Sequence, residues 1–545
     1  MANAIFSIDP PTNEPVLEYR PGSDERGRIK DELQRLRNTE MEIPLIIGGR
    51  PVKTGTLGRC TIPHDHGHQL ALFHQAGEKE VSMAIEAASS AAGEWAAMDW
   101  DDRLAIFTRA ADLIAGPRRM ALNAATMLAQ GKNVYQAEID SACEIIDFLR
   151  FNAFYATQIY RQQPQSGPAE WNHLEYRPLE GFVFAVTPFN FTAIAGNLPS
   201  APAMLGNTVL WKPASSAIYS AWMLMEILIE AGLPPGVINF IPGSGARVGI
   251  PVLTSPDLAG IHFTGSTSVF QGMWKTVADN LGRYRSYPRI VGETGGKDFV
   301  FVHPSADPDA VVTALIRGAF EYQGQKCSAV SRTYIPKSLW AELKEKLTAA
   351  ILTIKVGTPE DFSNFVNAVI DRAAFDTITD YIEYARKHAK ADIIVGGTYD
   401  RSSGYFIDPT VILTTDPHFK TMEEEIFGPV LTVYVYADED FEATLDLCDR
   451  TSPYALTGAI WARDRAAVAM ARRRLVHAAG NFYINDKPTG AVVGRQPFGG
   501  GRMSGTNDKA GSFLNLYRWV SPRTIKENFL PATDYRYPFM DAESQ

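Results

Sequence analysis

The chain has 545 residues, 45% of them hydrophobic, and a formal net charge of -10. That length supplies about three domain-sized units with large cores, and the acidic balance excludes the basic face that nucleic acid or an anionic membrane surface requires. A small-molecule substrate is the expectation. Four cysteines, Cys60, Cys143, Cys327 and Cys448, with no Cys-x-x-Cys and no close pair, exclude a disulfide framework and a zinc shell and fit a reducing compartment.

Residues 1–40 are polar, with mixed charges along 24–37, and predict an arm followed by a surface helix in which no chemistry is visible. Asp9, Glu14 and Glu18 precede the first basic residue, Arg20, so neither a signal peptide nor an Arg-rich transit peptide is expected. The expected compartment is the cytoplasm, or the mitochondrial matrix for a processed eukaryotic chain. His64, His66 and His68 alternate, but no cysteine or second cluster completes a metal shell around them, and they read as exposed turn residues with no metal. Apolar spacing over 81–114 and 120–155 predicts long packed helices, and 162–179, with Pro164, Gly167 and Pro168, reads as loop.

From Gly181 to Trp211 no side chain is charged, a length that would span a bilayer. Pro188, Pro199 and Pro202 with Asn190, Asn197 and Asn207 would break such a span and leave polar groups in hydrocarbon, so a buried strand, loop and helix is expected instead. Strands at 182–186, 208–211, 237–241 and 260–263 then alternate with helices, one of them over 217–231. That succession predicts an α/β fold with a parallel sheet that binds a dinucleotide at its carboxyl edge. A second α/β block covers 293–481, with strands at 299–302, 331–335, 393–395 and 430–435.

The run Gly243 to Gly249 is either a glycine-rich turn or a dinucleotide fingerprint with one residue too many. Phe263-Thr264-Gly265-Ser266 says more, because it ends a strand before a helix whose free N–H groups suit phosphate. The chemistry is concentrated in Glu293-Thr294-Gly295-Gly296-Lys297 and Gly324-Gln325-Lys326-Cys327-Ser328. A thiol attacks a carbonyl to give a covalent intermediate, and a carboxylate activates the water that later cleaves it. The pairing implies acyl chemistry on an aldehyde, with the other three cysteines inert and buried.

These two runs, with Thr187-Pro188-Phe189-Asn190-Phe191, Trp211-Lys212-Pro213-Ala214-Ser215, Phe263 to Ser266 and Glu424 to Val430, resemble in order the motif set of the NAD(P)-dependent aldehyde dehydrogenase superfamily. Cys143 to Asn152, the Glu-Thr-Gly-Gly-Lys form and the tail from Thr489 to Gly500 resemble the branch that oxidises L-glutamate γ-semialdehyde. The nearest alternative substrate is another small carboxylated aldehyde such as succinate semialdehyde.

The resemblance implies Cys327 as nucleophile, the Asn190 amide with the Cys327 N–H as oxyanion donors, and Glu293 as base, so that the product is a free acid. It implies NAD held by Thr187, Lys212, Ser215, Gly265, Ser266, Glu425 and Phe427, with NADP less favoured although Ser215 stands where many NAD-specific relatives carry Glu. Ser328, Gly490 and Ala491 would hold a substrate carboxylate, Glu144 its ammonium, and Phe191 and Phe498 its chain.

The implied architecture is an aldehyde dehydrogenase-like fold: an arm (1–40), a Rossmann-type NAD-binding domain (41–161 and 181–292), an α/β catalytic domain (293–481), and a return segment with the anchor loop (482–515). Oligomerisation elements at 162–180 and 516–545 form a small flap. A homodimer or higher homo-oligomer is expected, and transient association with a proline dehydrogenase is compatible with it.

Overall fold

The computed structural model describes residues 6–541. Two seven-stranded sheets organise the chain. In the first, Arg289–Glu293, Leu258–Thr264, Phe182–Val186, Thr208–Lys212 and Ile238–Phe240 lie side by side in that order, all parallel. Leu45–Ile47 and Arg50–Val52 extend its far edge antiparallel. Chain order runs outward in both directions from Phe182–Val186, so the switch point of the sheet falls between that strand and Leu258–Thr264, where α/β folds bind ligands. Every residue of Leu258–Thr264 is buried, as a strand covered on both faces demands.

The second sheet runs Ala391–Val395, Thr410–Thr414, Val430–Tyr436, Val330–Pro336, Asp298–Val302, Thr457–Trp461, Asn481–Ile484, parallel except for the first pair. The expected strands are all present, and 217–231 is helical as Ser215–Ala217 and Ile218–Glu230. The uncharged stretch folds as strand, helix and strand. Its prolines break nothing: Pro199 and Pro202 sit inside the Thr192–Met204 helix. Among the described residues no helix is long and apolar enough to cross a membrane.

Several expectations need correction. Within 162–179, Glu170–Arg177 is a strand, paired antiparallel over its length with Ser521–Asn528. Pro164, Gly167 and Pro168 keep only the entry irregular. Polar residues alternate along that strand and its partner lies far along the chain, so its own sequence carried a weak signal. Residues 41–74 hold strands that alternation did not reveal. The histidines are not exposed turn residues: His64 is buried against Glu360 at 3.2 Å, while His66 and His68 stand on the Asp65–His74 strand, bonded to the carbonyls of Arg401 and Arg37. The helical run 120–155 is interrupted at Gly131 (φ 67°) and by a π-helical turn, Glu138–Glu144, before Ile145–Tyr160. Such wide turns are rare and collect at functional sites.

Candidate active site

A cavity of about 920 Å³ is lined by the carboxyl ends of Leu258–Thr264 and Arg289–Glu293 in the first sheet, by the loop that leads into Val330–Pro336 of the second, and by the Glu138–Tyr160 helical run. Cys327, Glu293, Glu144, Phe191, Ser328, Gly490, Ala491 and Phe498 all line it. Asn190 lies beside it, buried, its Nδ2 donating to the Gln325 carbonyl at 3.1 Å. The structure therefore brings together every residue expected to act on or hold the substrate.

Three consecutive left-handed residues, Tyr322 (φ 51°), Gln323 (φ 55°) and Gly324 (φ 67°), turn the chain into the Cys327 loop. Gln323 fixes that turn, donating to the carbonyls of Gly131 (2.8 Å) and Ala368 (2.9 Å) and accepting from the Asn367 N–H (3.0 Å). Gln325 accepts from the Ile370 N–H at 2.9 Å. Beneath the loop, a Cβ on Gly296 would stand 2.1 Å from the Cys327 carbonyl oxygen, so only glycine lets the base motif pass under the nucleophile.

Asn190 and Phe191 precede the Thr192–Met204 helix, whose first N–H groups, Thr192 and Ala193, donate to the buried Asp140 carboxylate at 3.0 and 2.8 Å. Lys132 completes the arrangement with an ion pair to Asp140 at 2.5 Å and its ammonium 4.3 Å from the Phe191 ring centre. Asp140 sits in the π-helical turn. Neither residue is a sequence candidate, because several charged residues, among them Glu138, Glu144 and Asp147, interrupt the same helical run and nothing singles these two out.

Burial raises the Cys327 thiol well above its usual range, and the carboxylates of Asp298, Glu425 and Glu293 add to the effect. Lys326 does not offset them: it is paired to Glu321 at 3.0 Å. Glu293 closes the Arg289–Glu293 strand, and burial pushes its carboxyl well up, while the Gly500 N–H (3.2 Å to Oε2) and the charge of Lys509 oppose the rise. A base whose proton affinity is raised by desolvation is suited to take a proton from water.

At the far end Ser328 and Thr489 hydroxyls bond at 2.8 Å, joining the nucleophile loop to the loop of Gly490, which has φ 90°. Lys487 donates to the Thr489 carbonyl at 2.8 Å and also lines the cavity; the sequence reading had passed over it. Burial, then Asp140, raises the Glu144 carboxyl to about 8. An incoming ammonium would draw it back to the charged form. Phe498 exchanges two backbone hydrogen bonds with Ala510, 3.0 and 2.8 Å, which fix its ring at the cavity wall.

Five of the seven dinucleotide candidates, Thr187, Lys212, Ser215, Gly265 and Ser266, stand at or just after the carboxyl ends of first-sheet strands, and Glu425 and Phe427 come from the loop before Val430–Tyr436 of the second sheet. Lys212 ends its strand with a half-buried ammonium, lowered by desolvation to about 8 and bonded to the Pro213 carbonyl at 3.3 Å. Ser266 begins the Thr267–Asp279 helix without capping it, and the Gly265 N–H donates to the Glu293 carbonyl at 3.2 Å. The Thr187 hydroxyl accepts from Trp211 Nε1 at 3.0 Å. Glu425, raised by burial to about 7, accepts from the Gly296 N–H at 2.9 Å. Phe427 (φ 59°) packs edge-on to Phe189 at 5.7 Å, and Ser215 opens a short 3₁₀ turn. A half-buried ammonium with one long bond and a helix N-terminus with a free hydroxyl fit the pyrophosphate and ribose of a dinucleotide. By contrast the Ser244 hydroxyl accepts from the Arg247 N–H at 3.3 Å, so the glycine-rich turn at 243–249 caps its own helix.

The fold and these motifs match the aldehyde dehydrogenase family model over residues 53–524, and the chain belongs to that family. It is 55% identical, over 98% of its length and 97% of the relative's, to the delta-1-pyrroline-5-carboxylate dehydrogenase, mitochondrial, of Dictyostelium discoideum. The human protein of the same name is 49% identical, with 97% and 94% covered. A solved structure of the Mycobacterium tuberculosis delta-pyrroline-5-carboxylate dehydrogenase bound with NAD superposes with a TM-score of 0.96 at 55% identity, covering 99% of this chain and 100% of that one.

Proposed function

We propose that this protein oxidises L-glutamate γ-semialdehyde, the open form of Δ1-pyrroline-5-carboxylate, to L-glutamate with NAD, the second step of proline breakdown. One observation carries the reading: a single cavity is lined by the Cys327 thiol, the Glu293 carboxylate, Glu144, Ser328 and the Gly490-Ala491 loop. The relatives' names and the NAD in the mycobacterial structure support substrate and cofactor.

Cys327 Sγ bonds to the aldehyde carbon, and the developing oxyanion meets the Asn190 amide and the Cys327 N–H. Bound NAD supplies the acceptor for the hydride that the resulting thiohemiacetal loses. Glu293 takes a proton from the water that cleaves the remaining thioester, releasing the carboxylic acid and the Cys327 thiol. Thr187, Lys212, Ser215, Gly265, Ser266, Glu425 and Phe427 hold the dinucleotide; no carboxylate at Ser215 repels a 2'-phosphate, so weak NADP use accompanies NAD.

Residues 41–161 with 181–292 serve as the NAD-binding domain and 293–481 as the catalytic domain. The ribbon of Glu170–Arg177 and Ser521–Asn528 is the oligomerisation flap of a homodimer or larger assembly. The compartment is the mitochondrial matrix or the cytoplasm, and a proline dehydrogenase is the partner that would deliver substrate.

NADH formation tests the reading. Polar groups built to hold a carboxylate and an ammonium are left unpaired by a simple aldehyde, so kcat/KM for the semialdehyde should exceed that for propanal by at least about a thousandfold. Equal efficiencies overturn the assignment. Glu144→Ala should weaken the semialdehyde more than succinate semialdehyde, which has no ammonium to lose; equal losses would make Glu144 a structural helix residue.

A further inference from the structure

The N-terminal arm, silent in sequence, forms part of the cavity wall with Asn13 to Val16. Asn13 Nδ2 donates at 2.8 Å to Asp147 Oδ2 and at 2.8 Å to the Val493 carbonyl, while its Oδ1 accepts from Arg495 Nε at 2.9 Å. Asp147 stands just beyond Glu144 on the same helical run, and Val493 and Arg495 follow Gly490-Ala491 in the anchor loop. One side chain therefore joins the wall that would meet the substrate's ammonium to the loop that would meet its carboxylate, two groups carried on the same α-carbon.

The arm is fixed independently of that bridge. The Glu14 carboxylate pairs with Arg119 (2.6 Å) and Arg150 (2.8 Å), and the Leu17 N–H and Tyr19 hydroxyl donate to buried Glu138 at 2.9 and 2.7 Å. Those contacts lie on the helix side alone. Asn13 is the arm's side chain that reaches the anchor loop as well, and its hydrogen-bonding atoms are all engaged with the two walls.

We propose that Asn13 is a positioning residue for substrate choice, setting the separation between the Glu144 wall and the Gly490-Ala491 loop so that an ammonium and a carboxylate on one short aldehyde are met together. The inference rests on the substrate proposed above. A substrate that touches neither wall should not sense the bridge, whereas one whose ammonium and carboxylate are gripped by both walls at once should bind worse when the walls separate.

The test is steady-state kinetics of the full-length enzyme with pyrroline-5-carboxylate and with propanal. Asn13→Ala should raise KM for the semialdehyde about tenfold with kcat within about twofold, and leave propanal kinetics and the KM for NAD unchanged. Arg495→Met, which frees only Oδ1, should move the same KM in the same direction by less. An unchanged semialdehyde KM in Asn13→Ala, or equal losses with both aldehydes, overturns the proposal. A wild-type enzyme with no preference for the semialdehyde overturns the substrate reading and this inference with it; a preference kept intact in Asn13→Ala overturns this inference alone.

Discussion

Cys327→Ala should lower dehydrogenase turnover by at least about 10⁴-fold while NAD still binds, because the substitution removes the sulfur that forms the thiohemiacetal and leaves the first sheet's carboxyl edge untouched. Lys212 ends a strand of the first sheet and Gly265 and Ser266 follow another, whereas Cys327 enters from the loop before Val330–Pro336 of the second sheet. NADH absorbance reports the first quantity and a fluorescence titration with NAD the second. Turnover near the wild-type rate would remove Cys327 from the mechanism, and loss of NAD binding would show that the substitution acts through the fold.

Glu293→Gln should fail later in the cycle. The thiol, the oxyanion donors and the cofactor edge remain, so one equivalent of NADH should appear per site in a burst. Steady-state turnover should then fall by about 10²- to 10⁴-fold, the usual contribution of a positioned base. The sign of the pH dependence follows from burial. The Glu293 carboxyl is raised well above its ordinary value, so as pH falls through that raised value it takes up a proton and ceases to act as a base. Wild-type steady-state turnover should thus decline toward acid, and the slow hydrolysis left in Glu293→Gln should lack that limb. Normal turnover in the variant would assign the base elsewhere.

What the sequence disclosed and what it hid divide along a physical line. Strands such as Phe182–Val186 were legible because a run buried on both faces is apolar throughout and ends at turn residues. The cysteine and carboxylate motifs were legible because their glycines and polar residues have few structural uses in that order. Lys132, Asp140 and Lys487 carry no such mark. Lys132 and Asp140 are charged side chains whose partners lie on other segments, Lys487 bonds a carbonyl two residues on, and a periodic pattern registers all three only as interruptions. The arm was opaque for the same reason: the significance of Asn13 depends on Asp147 and Val493 meeting at one point. The strand at Glu170–Arg177 fell between these cases, since its ladder partner begins at Ser521 and its own residues are polar enough for a loop.

The left-handed run that introduces the nucleophile has a bearing on how activity is lost. Tyr322 and Gln323 carry side chains in a backbone region that is unfavourable by about 1–2 kcal/mol per residue, so the segment by itself would relax to another shape. It is kept as it is by the Gln323 amide, clamped to the carbonyls of Gly131 and Ala368 and the N–H of Asn367. The aim of the thiol is accordingly a property of remote chain segments and not of its own neighbourhood. Local loosening at Gly131 or at Ala368, well short of global melting, releases the spring and misdirects the sulfur. Inactivation by heat or mild denaturant should therefore precede unfolding of the sheets, seen as activity lost before the far-UV circular dichroism changes, in a chain that keeps its cysteine but has lost its nucleophile.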